Sequence, residues 1–115
     1  MEKRLWTACE DGNIEEVINL LQSKLNINWR DSQYSKTPLF IACENGYIQI
    51  VQLLLNDKRI DINKADKYGE TSLYIACSEG HIDIVKILLN DERVDINKAN
   101  SYGWTFLDCL CIRTH

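Results

Sequence analysis

A chain of 115 residues has room for one hydrophobic core, and its 13 basic and 17 acidic side chains leave a net charge of −4. Both signs are interspersed, which argues against nucleic acid or an anionic membrane surface as a ligand. The apolar runs are short, Leu53-Leu54-Leu55 for example, and the opening MEKRLWTACEDG lacks the apolar stretch of a secretory leader, so the expected setting is intracellular, most naturally the cytoplasm.

An internal repeat organises everything else. TPLFIACENGYIQIVQLLLN begins at Thr37 and TSLYIACSEGHIDIVKILLN at Thr71, and 12 of their 20 positions are identical. The match continues through NDKRIDINKADKYGE (56–70) and NDERVDINKANSYGW (90–104). One single domain over 1–115 is expected, in units of about 1–30, 31–65, 66–99 and 100–115.

The first unit, RLWTACEDGNIEEVINLL, is a divergent copy, placed by Ala8-Cys9 and Gly12. The second shows the grammar most clearly. Thr37 can cap a helix and Pro38 suits its first turn, LFIACEN gives about two turns, and Gly46 stops them. YIQIVQLLLN is a second helix, with Ile50, Val51, Leu54 and Leu55 forming one apolar stripe, and Asn56 ends it. RIDINKADKYGE is polar and extended, with alternating Ile60 and Ile62 and a turn near Asp66 to Gly69. The third unit repeats this order. The fourth, from Thr105, is TFLDCLCIRTH and stops after one helix. Helices this short are unstable alone, so the units must stack to bury their apolar faces. The expected fold is all-α: a solenoid of stacked helix-turn-helix units with projecting turns.

TPLFIACENGY, TSLYIACSEGH, DIVKILLN and VDIN resemble the ankyrin repeat, whose signature is Thr-Pro-Leu-His-x-Ala, then Gly-His, an apolar second helix and Asp-Val-Asn. The resemblance covers nearly the whole chain. It implies stacked helix pairs with β-turn or hairpin loops, and a partner docked on the concave side formed by turn tips and first helices. The sequence departs from the pattern in two ways. The period is one residue longer, the extra residue lying in NDKRID and NDERVD. The signature His is replaced by Trp6, Phe40, Tyr74 and Asp108, so aromatic packing is expected to substitute in the first three units.

Cys9, Cys43, Cys77 and Cys111 share one register, with Cys109 as the fifth cysteine. Stacked helices lie roughly 8–10 Å apart, too far for a disulfide or for convergence on one metal ion. Buried, reduced thiols are expected instead, and no cofactor or metal. His81 matches the Gly-His that opens a second helix, a structural position; His115 is the last residue and is expected to fray. Glu15, Glu16 and Asp83 read as solvated charge on outer helices. Asn28, Asn63 and Asn97 recur before each turn, where their amides can tie neighbouring turns together; the resemblance also implies that such asparagines can be substrates of an asparaginyl hydroxylase. No nucleophile–base pair, His-x-x-x-His or phosphate loop appears, so the chain reads as a non-enzyme.

What remains is surface. Tyr34, Tyr68 and Tyr102 fall one per turn, Trp29 and Trp104 flank the row, and Arg30, Lys36, Lys67 and Glu70 add charge. Tyr, Trp and Arg most often carry binding energy, although each Tyr ring could equally pack on the next turn. These nine residues are the candidate site for a protein or peptide partner. The alternative is a structural spacer, a fragment of a longer array. The chain is expected to be a monomer, with end-to-end association possible through the uncapped last unit.

Overall fold

The computed structural model describes residues 1–114; His115, expected to fray, lies outside them. Seven helices, and no strand, are found among the described residues: α1 (Glu2–Asp11), α2 (Ile14–Leu21), α3 (Pro38–Asn45), α4 (Ile48–Leu55), α5 (Ser72–Ser78), α6 (Ile82–Leu89) and α7 (Phe106–Thr114). They form an inner row, α1, α3, α5 and α7, and an outer row, α2, α4 and α6, with closer contact along the inner row. The stack measures 41 × 26 × 24 Å.

Local chemistry sets the helix bounds. Thr37 Oγ1 accepts from the Phe40 amide at 3.0 Å and Thr71 Oγ1 from the Tyr74 amide at 3.2 Å, satisfying donors left open at the starts of α3 and α5. Gly46 ends α3 at φ 79°, its N–H bonded to the Ala42 carbonyl. A side chain there would be doubly opposed, because a Cβ would lie 2.8 Å from His81 Cε1.

The core runs unbroken through the stack: Leu5 and Val17, Leu39, Ile50, Val51 and Leu54, then Leu73, Ile84 and Leu88 are all essentially inaccessible. Each such side chain contributes about 1.5–3 kcal/mol on burial. Leu55, expected in the α4 stripe, is only half-buried. Ile60 and Ile62 point inward from the extended segment, as their alternation requires.

The extra residue in NDKRID and NDERVD has a structural use. Asp57 pairs with Arg59 at 2.7 Å, and the guanidinium reaches back to the Leu21 and Ser23 carbonyls at 2.8 and 2.9 Å, at the end of α2. Asp91 and Arg93 repeat this one unit on, Arg93 donating to the Leu55 carbonyl at the end of α4. Each arginine thus satisfies orphan carbonyls of the preceding unit and places positive charge at a helix C-terminus. The first unit, LLQSKLNIN at 20–28, lacks the motif. The guanidinium groups hold the Asp57 and Asp91 carboxyls below the usual carboxylate range.

The asparagine ladder ties units as expected. Asn28 donates to the Arg59 carbonyl (2.8 Å) and accepts from the Asp61 amide (2.8 Å). Asn63 does the same to Arg93 and Asp95, at 2.8 and 2.6 Å.

Four expectations need correction. Cys111 is exposed, whereas Cys9, Cys43, Cys77 and Cys109 are buried. Helix α7 turns Phe106 and Cys109 onto α5, and the face bearing Leu107, Leu110 and Cys111 has no further unit against it among the described residues. No disulfide joins any cysteine, and burial pushes the Cys9 thiol up to about 12. Second, aromatic packing alone does not replace the signature His at Trp6, whose Nε1 donates to the Lys36 carbonyl at 2.9 Å. Third, Glu16 is half-buried and paired with Arg4 rather than freely solvated. Fourth, Asn97 has no following loop beside its amide among the described residues, unlike Asn28 and Asn63.

His81 is structural: its Nε2–H donates to the Glu44 carbonyl at 3.0 Å and its ring covers Gly46. Tyr47 covers Gly12 in the same way. In the last unit Arg113 takes this place, donating to the Ser78 carbonyl at 2.8 Å and lying against Gly80. It can do so because α7 runs on to Thr114, where the earlier units have a glycine.

Candidate functional site

Three turns project from the inner row. Each is closed by two backbone bonds: Asp31 N–H to the Lys36 carbonyl, Asp66 to Glu70 and Asn100 to Trp104, and in return Ser35, Gly69 and Gly103 N–H to the carbonyls of Asp31, Asp66 and Asn100. Each is also braced by the side chain of its first residue. Asp31 Oδ1 accepts from the Lys36 amide at 2.6 Å; Asp66 Oδ1 accepts from Tyr68 and Glu70, and Asn100 Oδ1 from Tyr102 and Trp104. Gly69 and Gly103 supply the left-handed conformation the turn requires, and Ser35 holds it in the first turn at φ 57°. Successive turns are stitched by backbone: the Tyr34 carbonyl accepts from the Lys67 amide (2.9 Å) and the Tyr68 carbonyl from the Ser101 amide (2.8 Å).

This scaffold places the candidate residues as follows. Tyr34, Tyr68 and Tyr102 stand at successive tips and grow more exposed along the row, at 37%, 42% and 78%. Lys36 Nζ lies 5.1 Å from the Tyr34 ring centroid and 5.6 Å from that of Phe40, and pairs with Glu44 at 2.9 Å. Lys67 Nζ lies between the Tyr34 and Tyr68 rings, 5.5 and 5.4 Å from their centroids. Lys36 and Lys67 are thus drawn onto rings of their own chain. Glu70, Tyr102 and Trp104 come together with Tyr74 and Asn100 around an open hollow of about 490 Å³. Trp104 is 46% exposed there. Trp29 is half-buried at the start of the row, and the exposed Arg30 makes a long contact, 3.5 Å, to the Ala65 carbonyl.

Around Glu70 and Asp66 the acidic charges outnumber the basic ones. Burial, then the charges of Asp66 and Glu44, raise the Glu70 carboxyl above its usual range, with Glu79 adding to this and Lys36 opposing it. Burial likewise raises Asp66, against the pull of the turn amides.

Phe40, Tyr74 and Asn100 also meet this face but were not among the sequence candidates. The repeat register could have found them: Tyr74 lies 34 residues after Phe40, and Asn100 stands 34 after Asp66. Among the described residues no group of three or more His, Cys, Asp or Glu side chains is placed to hold a metal ion. No described helix is long and apolar enough to cross a membrane.

The sequence matches the family model for ankyrin repeats (many copies) over residues 5–55, 42–89 and 77–115. No curated protein matches it.

Proposed function

The chain belongs to the ankyrin repeat family, whose repeats are generally protein–protein interaction modules, and on that premise we propose that its turn row is the binding surface for a protein or peptide. One observation carries the reading: three aromatic side chains, Tyr68, Tyr102 and Trp104, stand exposed on one braced face outside the core. Large apolar groups held out from a rigid scaffold are what interface hot spots require, since little ordering entropy is lost when they are covered. The face comprises Trp29, Arg30, Tyr34, Lys36, Lys67, Tyr68, Glu70, Tyr102 and Trp104. The module acts as a non-enzymatic, cofactor-free monomer inside the cell, divided into units near 1–30, 31–65, 66–99 and 100–115. A photoreactive benzoylphenylalanine at Tyr102 should cross-link a partner in lysate, whereas the same group at Leu89, itself exposed on the outer row, should not. Cross-linking at Leu89 alone would move the surface to the outer helices, and cross-linking at neither would favour a spacer.

A further inference from the structure

We propose that the hollow between the second and third turns receives a cationic side chain, lysine or arginine, from the bound peptide. This rests on the reading of the turn row as the binding face.

The chain contains its own reference for the site. One unit earlier, an ammonium group occupies the equivalent place: Lys36 Nζ sits over the Tyr34 and Phe40 rings and against Glu44. A second ammonium, that of Lys67, serves both Tyr34 and Tyr68. Moving each residue on by one period gives the composition of the hollow. Phe40 becomes Tyr74, Asp66 becomes Asn100, Tyr68 becomes Tyr102 and Glu70 becomes Trp104, while Tyr34 becomes Tyr68 and Glu44, the carboxylate paired with Lys36, becomes Ser78, so the carboxylate of the hollow is Glu70 at the lysine's own place. The two lysines do not carry over: Lys67 becomes Ser101, whose hydroxyl donates to the Tyr68 carbonyl at 2.8 Å, and Glu70 occupies the turn end that Lys36 holds in the first turn. Of the three turn tyrosines, Tyr102 is therefore the one without a lysine over its ring among the described residues, and it is the most exposed.

The lining suits a cation better than an apolar group. Tyr74, Tyr102 and Trp104 surround the hollow, and Glu70 is its one carboxylate. Trp offers the strongest ring face for a cation. Asp66, Glu44 and Glu79 add negative potential, and Lys36 is the opposing cation. Asn100 is neutral, and its Oδ1 already accepts from two turn amides. A carboxylate made costly to ionise by burial and neighbouring acids is short of a counter-charge, and an entering ammonium or guanidinium would supply it.

The probe is the peptide acetyl-Gly-Gly-Lys-Gly-Gly-amide, titrated to about 20 mM at low salt and followed in amide and indole NMR spectra, with the norleucine peptide as its neutral match. The lysine peptide should move the Trp104 indole and the amides of 100–104, while the Trp6 and Trp29 indoles stay in place. The norleucine peptide should move them several-fold less. Glu70→Gln should weaken the lysine response by about threefold, the scale of an exposed cation–carboxylate contact. Glu70→Lys, which places a lysine of the chain at the hollow, should abolish it; if that variant does not fold, the Glu70→Gln result decides alone. Equal responses to the two peptides, no response to lysine, or indifference to Glu70→Gln would each overturn the proposal. The two readings fail separately. Cross-linking at Tyr102 with no preference for lysine removes only the cation, whereas a lysine response with cross-linking confined to Leu89 removes the turn row as the partner surface.

Discussion

Replacing Asn63 with alanine removes two of the bonds that hold the third unit's loop to the second: the amide donated to Arg93 O at 2.8 Å and the oxygen accepting from Asp95 N at 2.6 Å. A typical bond contributes about 0.5–1.5 kcal/mol net, so the pair sums to about 1–3 kcal/mol, toward the lower end because the site is half-buried. Asn97 is the internal control. It has the same residue type at the same repeat position, but its amide has no loop opposite it among the described residues. Asn97→Ala should therefore stay within about 0.5 kcal/mol of the parent, the range of an ordinary surface change. Urea unfolding separates the two, since a loss near 2 kcal/mol moves the midpoint by on the order of 1 M for a domain of this size. Equal effects at Asn63 and Asn97, or no loss at Asn63, would refute the claim that the amide ladder couples the units.

Ser35→Gly should raise stability by about 0.5–1 kcal/mol, because it relieves a left-handed serine where the other turns use glycine, whereas Gly69→Ala should lower it, since its Cβ would meet the Asn100 backbone at 3.1 Å; thermal melts read both. A thiol reagent on the folded protein should label Cys111 quickly and the other four slowly, and equally fast labelling of Cys43 would mean that the stack opens readily. Asp57 and Asp91 have depressed folded-state values, so their contribution is present above the unfolded carboxylate range and is lost as pH falls through the folded value. Asp91→Asn should therefore flatten the acid limb of the stability–pH curve, and an unchanged limb would count against the arginine clamp.

Much of the architecture can be read from residues acting locally. Thr37, Pro38 and Gly46 bound a helix through their own backbone chemistry, and the register from Thr37 to Thr71 carries that result to the next unit. Features that reach between units are less legible. Arg59 and Arg93 look like ordinary surface charge until folding brings them to carbonyls more than 30 residues earlier. Cys111 is in register with buried cysteines, yet it is exposed, because in α7 it is Phe106 and Cys109 that turn inward. Arg113 occupies a covering position held by Tyr47 and His81, an exchange visible only once α7 is seen to continue past the expected glycine. The candidate row was found by counting aromatics per turn. The hollow was not, because Glu70, Tyr74, Asn100, Tyr102 and Trp104 come from two units and converge only in the stack.

The central claim is that the turn aromatics bind and the buried stripes fold. The triple variant Tyr68→Ala, Tyr102→Ala, Trp104→Ala tests it, with melting temperature and affinity for the cross-linked partner measured on the same preparation. Hot-spot removal typically weakens binding by about 2 kcal/mol or more, roughly 30-fold, while the melting curve should move little. Leu54→Ala, at a fully buried position, should do the opposite and lower stability by about 2–5 kcal/mol. A triple variant that melts as early as Leu54→Ala, or that folds normally and holds its partner with parental affinity, would contradict the account.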